Sequence, residues 1–291
     1  SLVFQVETQW PCVTVTVVSP APPAEKCNTF RMVTAKFRFY EELNDFLAPE
    51  RRRQEFSCSC ARAATTKHMI EALGVPHTEV ELVLVNGESV GFDRILKDGD
   101  RVAVFPEFEM VDVTPLLRVR EYPLRVMRFV ADAHLGGLAR LLRMAGFDTL
   151  YDNNYHDSEI EAIAVHEKRI VLTRDRELLM RRSITHGCYV RTLKPPQQLC
   201  EIFDRLDLAG SMRPFTLCLS CNIPLRAIEK AQVLTRLPPS VRERLDHFST
   251  CDVCHGVFWK GSHWQRMRAV LDDCIQSNQF SRNSAWEDNS S

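Results

Sequence analysis

At 291 residues, 45% of them apolar and 26% charged, the chain exceeds the length that one hydrophobic core normally serves, and two or three compact domains are expected. A formal net charge of −1 excludes a globally basic nucleic-acid binder and an acidic solvating chain, so any site for a polyanion must be local. No stretch approaches the roughly 18 uninterrupted apolar residues of a spanning helix. No basic region leads into an apolar signal core, and these features together predict a cytoplasmic protein with no membrane segment.

Residues 1–31 are proline-rich ("SPAPPAEKC") and are expected to be a disordered extension, with Met32 directly before the first patterned strand. Residues 32–112 read as a small α+β domain. A strand (VTAKFRFY) leads through a loop to a helix (AATTKHMIEALG) stopped by Gly74. A second strand (VELVLVN), the turn Asn86-Gly87 and a last strand in DGDRVAVF follow. Cys58 and Cys60 in "SCSC" read as plain thiols, since no second pair accompanies them. Residues 113–126 read as a linker.

"VLVNGESV…LKDGDRVAVFPEF" resembles the β-grasp, ubiquitin-like sulfur carriers of thiamine and molybdopterin synthesis. Those carriers end in a free diglycine. This sequence runs on through "PEFEMVDVTPLLRVREYPLRV" without one, which argues for a binding or packing role in place of carrier chemistry.

Residues 127–213 alternate strictly between strand and helix. The strands are RFVAD, DTLYD, RIVLTRD and CYVRTL. The helices are HLGGLARLLRMAG (stopped by Gly146), SEIEAIAVHEK, RELLMRRSITHG (ended by Gly187) and PPQQLCEIFDRLDL. Single helices between strands imply right-handed crossovers and a parallel sheet covered on both faces, whose ligands sit outside the carboxyl ends of the strands.

Asp132, Asp152 and Asp175 end the first three of these strands, and Asp157 opens a helix on the same side. Local structure offers other uses for two of them: Asp157 with Ser158 and Glu161 suits a helix cap, and Asp152 with Asn153 and Asn154 suits a turn. Asp132 and Asp175 directly follow apolar runs, and sharing a rim would require a cation or a proton between them. A hard divalent ion, Mg²⁺ or Mn²⁺, fits such oxygen donors and the hydrolysis of a phosphodiester. Arg140, Arg143, Arg174 and Arg176 are the candidates for phosphate contact, while Arg181 and Arg182 read equally as a solvated helical face.

Among eleven cysteines, Cys218, Cys221, Cys251 and Cys254 form two CxxC pairs 29 residues apart, a gap that a short helix in "PPSVRERLDHF" can fill. Two knuckles bring four thiolates around a tetrahedral ion, so structural Zn²⁺ is expected; redox CxxC motifs do not come as two pairs. "WKGSHW" follows. Trp259 and Trp264 suit either stacking on unpaired bases, with His263 at a phosphate, or packing of the lobe, with Ser262 capping the next helix. Residues 214–275 thus read as a zinc-ribbon lobe with a helix, and 276–291 as a disordered tail.

"FVADAHLGGLARLLRMAGFDTLYDN", "DSEIEAIA…EKRIVLTRDRELL", the paired CxxC motifs and "WKGSHW" together resemble the PIN-like RNase family named from the C-terminal domain of the mut-seven exonuclease. Bacterial members that look like this carry a ubiquitin-like domain in front. The resemblance implies a PIN-like parallel-sheet nuclease domain and places the acidic site on Asp132, Asp157 and Asp175, with Asp152 or Glu161 as a fourth member. It implies a metal-dependent ribonuclease with RNA as partner, a protein partner through the ubiquitin-like domain, and a homodimer. Two other functions are carried forward: a catalytically silent RNA- or protein-binding adaptor, and a sulfur-transfer accessory protein.

Overall fold

The computed structural model describes residues 32–106 and 127–287, excepting the side chains of 277–287. The expected extension at 1–31, the linker at 113–126 and the last four residues of the chain lie outside the described residues.

In the first domain β1 (Val33–Phe39) alternates strictly, with Ala35, Phe37 and Phe39 buried and Thr34, Lys36 and Arg38 exposed, the period-two pattern of a strand with one face on a core. It is followed by β2 (Phe56–Cys60), α1 (Thr66–Ala72), β3 (Leu82–Val85), β4 (Glu88–Val90) and β5 (Arg101–Phe105). The sheet order is β2-β1-β5-β3-β4; β1 and β5 pair in parallel and the other pairs are antiparallel. Met69 and Ile70 of α1 pack on this sheet. Thr65 caps the helix by accepting from the His68 N–H, and Gly74 at φ +96° ends it. β2 was not expected. "FSCSC" turns Phe56, Cys58 and Cys60 toward the core and exposes Ser57 and Ser59, so the two cysteines belong to an edge strand.

The second domain comprises β6 (Phe129–Ala131), α2 (Gly136–Ala145), β7 (Thr149–Tyr151), α3 (Asp157–Glu167), β8 (Ile170–Thr173), α4 (Arg176–Leu179), β9 (Gly187–Tyr189) and α5 (Pro195–Arg205). All strand pairs are parallel in the order β7-β6-β8-β9. Alternation splits the strands between two cores: Phe129, Ala131, Ile170 and Leu172 face α2 and α5, whereas Val130 and Val171 face α3 and α4. The third helix is much shorter than expected, and Gly187 does not end it. Gly187 opens β9, where a Cβ would lie 2.5 Å from Leu179 Cδ2, so glycine is needed for close packing.

The third part comprises β10 (Arg226–Ile228), α6 (Lys230–Val233), α7 (Pro239–Arg244), β11 (Phe248–Thr250), β12 (Val257–Phe258) and α8 (Ser262–Glu287). The strands form an antiparallel sheet in the order β10-β11-β12, and α7 is the short helix expected between the cysteine pairs. Ser262 is the first residue of α8 and not its cap; Gly261 precedes it and its carbonyl accepts from the Gln265 N–H at 3.0 Å. No glycine or proline interrupts residues 262–287, and α8 continues through 276–287, where a disordered tail was expected. Its Leu271 and Cys274 are buried in the α2–α5 core, and a Cys200–Cys274 disulfide, unforeseen in the sequence, ties it to α5. Among the described residues no helix is long and apolar enough to cross a membrane.

The first domain covers the edge of the second sheet at β9. Glu79, with a fully buried side chain, accepts from the Tyr189 N–H at 2.7 Å and from Arg191 and Arg205 at 3.1 Å each. His77 bridges the Glu71 carboxylate (2.7 Å) and the Ile184 carbonyl (2.8 Å). Phe46 meets Tyr189 edge-on with ring centroids 5.2 Å apart. Such capping occupies a strand edge that would otherwise offer unpaired backbone groups to another chain.

Candidate functional site

In the order β7-β6-β8-β9 the connections reverse direction between β6 and β8, and the crevice outside the carboxyl ends of these two strands is where an open α/β sheet takes its ligand. Asp132 follows β6 and Asp175 follows β8. Thr173, the last residue of β8, links them. Its hydroxyl donates to Asp132 Oδ2 at 2.8 Å and accepts from the Asp175 N–H at 2.9 Å. Asp175 Oδ1 caps α4 by accepting from the Glu177 N–H at 2.8 Å. Asp132 Oδ1 and Asp175 Oδ2 make no further hydrogen bond among the described residues.

The turn that carries Asp132 is set by glycine. Tyr151 donates its hydroxyl to the Ala133 carbonyl at 3.1 Å, and its ring lies over Gly136, where a Cβ would sit 2.5 Å from the hydroxyl oxygen.

Asp157 is the first residue of α3, whose cap is His156; the N–H of His156 donates to Glu159 at 2.9 Å. The Asp157 carboxylate is therefore not consumed as a cap. It pairs with Arg181 at 3.2 Å, and Glu161, one turn along α3, pairs with the same guanidinium at 2.7 Å and accepts from the Ser183 hydroxyl. The Ser183 and Arg181 hydrogen bonds hold the Glu161 carboxyl below its ordinary range. The hydrogen bond to Glu161 raises the Arg181 pKa, and the charges of Glu161, Asp157 and Asp175 add to it. One rim thus joins Asp132, Thr173, Asp175, Arg181, Asp157 and Glu161. Asp152 follows β7 just beyond the Ala131–Tyr151 pairing, on the same end of the sheet as Asp132, and its Oδ1 accepts from the backbone and side chain of Asn154 at 2.9 and 3.1 Å.

The donors are of the kind a hard divalent cation takes, with a free oxygen on both Asp132 and Asp175. They spread wider than one ion's shell: among the described residues, the four cysteines are the group whose ligand atoms all lie within 4.8 Å. Arg181 already supplies positive charge to half of the rim.

The cysteines form two matching knuckles. The Asn222 N–H donates to the Cys218 carbonyl and the His255 N–H to the Cys251 carbonyl, each at 2.9 Å, and Asn222 and His255 take left-handed backbone at φ +59° and +56°. Cys218 and Cys254 sulfurs are 3.7 Å apart. Four sulfurs about 2.3 Å from a tetrahedral zinc would be separated by about 3.8 Å, so the cluster fits that ion. Burial, with the neighbouring thiols, pushes Cys221 up to about 12, while hydrogen bonds from the Cys254 and Val253 amides bring Cys251 down to about 7. Crowded thiols of this kind ionise together only around a cation.

Residues 127–271 match the family model described as Mut7-C RNAse domain, and residues 32–112 match that of Mut7-C ubiquitin. The chain belongs to the Mut7-C family. No curated protein matches it. Among solved structures, the crystal structure of H. volcanii small archaeal modifier protein 1 matches at 19% identity with a TM-score of 0.22, covering 26% of this chain and 99% of that one.

Two of the arginines expected at phosphate serve the Mut7-C fold instead. Arg143 is buried, and its guanidinium donates to the carbonyls of Thr149, Leu219 and Ser220 at 2.9, 3.1 and 3.0 Å. Asn222 reinforces the same seam, accepting from the Thr149 N–H and donating to Asp148. The first knuckle is therefore anchored at the amino end of β7, opposite the acidic rim. Arg176 stacks on Phe46 of the ubiquitin-like domain at 4.9 Å and donates to its carbonyl. Arg140 and Arg174 remain exposed, Arg174 directly beside Asp175. His263 is exposed at the start of α8, and Trp264 packs against Phe215 with centroids 5.1 Å apart. Sequence reasoning missed Thr173, Ser183 and the place of Arg181. Only Thr173 had a local signal, a hydroxyl at the strand end two residues before Asp175.

Proposed function

We propose that the acidic rim hydrolyses RNA phosphodiester bonds with the help of a divalent metal ion, Mg²⁺ or Mn²⁺, and that the four-cysteine cluster holds structural Zn²⁺. One observation carries this reading: the Thr173 hydroxyl links the Asp132 carboxylate to the Asp175 backbone N–H at the switch point of the sheet, and each aspartate keeps one carboxylate oxygen outside these hydrogen bonds. A bound divalent ion would supply Lewis-acid charge to the nonbridging phosphate oxygens. Asp132 and Asp175 would hold it, with Asp157 and Glu161, paired with Arg181, further along the rim. Arg174 would meet the phosphate from the rim. In the hydrolysis, water attacks phosphorus, its proton passes to a rim carboxylate, and the bond to the leaving sugar oxygen breaks as that oxygen takes a proton from solvent. The zinc lobe, anchored at the opposite end of the sheet, stabilises the domain and takes no part at this site. The membership of the ubiquitin-like domain in the family model supports a protein partner for it, and a homodimer belongs to the same proposal.

A second reading, a silent adaptor, is favoured by one observation. Arg181 neutralises Asp157 and Glu161, as the counter-charge of a site without metal would. End-labelled single-stranded RNA and matched DNA, incubated with the protein in Mg²⁺ or Mn²⁺, separate the two. Metal-dependent cleavage abolished by Asp132→Asn is the expected result. Cleavage that persists undiminished in that variant refutes the nuclease reading. RNA binding without cleavage, together with Mn²⁺ affinity that Arg181→Gln does not raise, would establish the adaptor.

A further inference from the structure

A cleft of about 930 Å³ opens in the cysteine-bearing lobe, between its small sheet and the start of α8. None of its lining residues belongs to the acidic rim. Its wall is aromatic. Trp264 is half-buried against Phe215, and Trp259 lies edge-on to Phe248 with centroids 6.5 Å apart. The rim of the cleft is basic: Arg244, His247, Lys260 and His263 all line it and all are exposed. Among the described residues no salt bridge engages Arg244, Lys260 or His263, and His247 adjoins Asp246. Lys260 Nζ stands 5.5 Å from the Trp264 ring centroid. Asp246, the acidic residue of the lining, is held by Lys230 at 2.9 Å, which offsets its charge.

We infer that this cleft binds unpaired nucleotides of an RNA strand, apart from the site of cleavage. The inference rests on the RNA reading above and adds a second place on the chain where the substrate is held. The chemistry selects the occupant. Base faces stack on tryptophan whatever their sequence, and a backbone bearing one negative charge per nucleotide meets the unpaired cations. A buried apolar helix from a protein partner would leave the Arg244 and Lys260 charges without counter-charge at its margin. The volume, at the upper end of ordinary ligand pockets, admits about two nucleotides. A duplex keeps its base faces stacked inside, so the cleft selects single strands.

The test uses the full zinc-loaded chain carrying Asp132→Asn, so that cleavage does not erode the probe, and a fluorescent single-stranded RNA of ten nucleotides. Trp264→Leu is expected to weaken binding by about tenfold. Because that side chain also packs on Phe215, the exposed pair Lys260→Glu and Arg244→Glu provides variants that leave the packing alone. Together they are expected to weaken binding by at least tenfold and to flatten its salt dependence, while Lys97→Glu on the ubiquitin-like domain changes it less than twofold. In the chain with Asp132 intact, Lys260→Glu should raise KM for RNA. Undiminished RNA binding in the charge-reversed and Trp264→Leu variants overturns the inference even where cleavage is intact, and assigns the cleft to a protein partner. Absence of cleavage in the intact chain refutes the nuclease reading instead, and leaves the binding result to stand by itself.

Discussion

Replacing Glu79 with glutamine tests whether the ubiquitin-like domain is fastened to the nuclease domain or merely adjacent to it. The carboxylate is fully buried and takes three hydrogen bonds across the interface, from the Tyr189 amide and from Arg191 and Arg205, which are themselves only 22% and 14% exposed. Glutamine keeps the volume but turns an NH₂ group toward donors; it leaves the Arg205 guanidinium without its ion-pair partner, and Arg191 with only its longer pairings to Asp45 at 3.7 Å and Glu201 at 3.8 Å. Breaking a buried ion pair from one side costs about 3–5 kcal/mol, mainly the desolvation of the charge left behind. That is a large share of the roughly 5–15 kcal/mol by which a domain is stable. Urea unfolding followed by circular dichroism should show the midpoint falling with the slope unchanged. Glu88→Gln, on exposed β4, should stay within about 0.5 kcal/mol of the parent. A loss below about 1 kcal/mol for Glu79→Gln would refute the claim that this carboxylate fastens the domains.

Alanine at Gly136 ordinarily favours a helix by about 1 kcal/mol. Here the added Cβ would lie 2.5 Å from the Tyr151 hydroxyl, so Gly136→Ala should destabilise by about 1–3 kcal/mol in thermal unfolding, and a stabilised variant would show that the ring does not press on this turn. Burial works against the charge of Asp148, yet hydrogen bonds from Arg169 and Asn222 hold its carboxyl below the ordinary value. A depressed folded pKa contributes stability that is complete above the unfolded value, about 4, and is lost as pH falls through the lower folded one. Unfolding midpoints of the parent and Asp148→Asn should therefore converge below about pH 4, and a gap that widens with acid would contradict the assignment. Removing metal with a strong chelator should unfold the β10–β12 lobe and lower the melting temperature, because a structural zinc contributes on the order of 10 kcal/mol. A purified chain with no zinc by elemental analysis and no response to chelation would refute the metal reading of the four cysteines.

Much of this architecture is local and could be read from the chain. Period-two burial in β1, the left-handed Asn86-Gly87 turn, the Gly74 and Gly146 stops and the strict strand–helix alternation after residue 127 each depend on residues a few positions apart. The paired CxxC knuckles are local too, since each closes on its own backbone. That Asp132 and Asp175 lie at strand ends on one rim followed from the alternation; that β6 and β8 are neighbours is read from the sheet order. Tertiary structure decided what long-range packing alone can decide. Arg143 turned inward because carbonyls 76 and 77 residues away stand over the end of its helix. Arg181 left the solvated face because α3 brings Asp157 and Glu161 beside it. Glu161 faces that guanidinium, while the Asp152 carboxylate closes its own turn. "FSCSC" became a strand through pairing with β1, and Cys200 met Cys274 only because α8 crosses back onto α5. Side-chain direction on a helix or strand end is set by the neighbour that arrives to satisfy its charge, and that neighbour is far away in sequence.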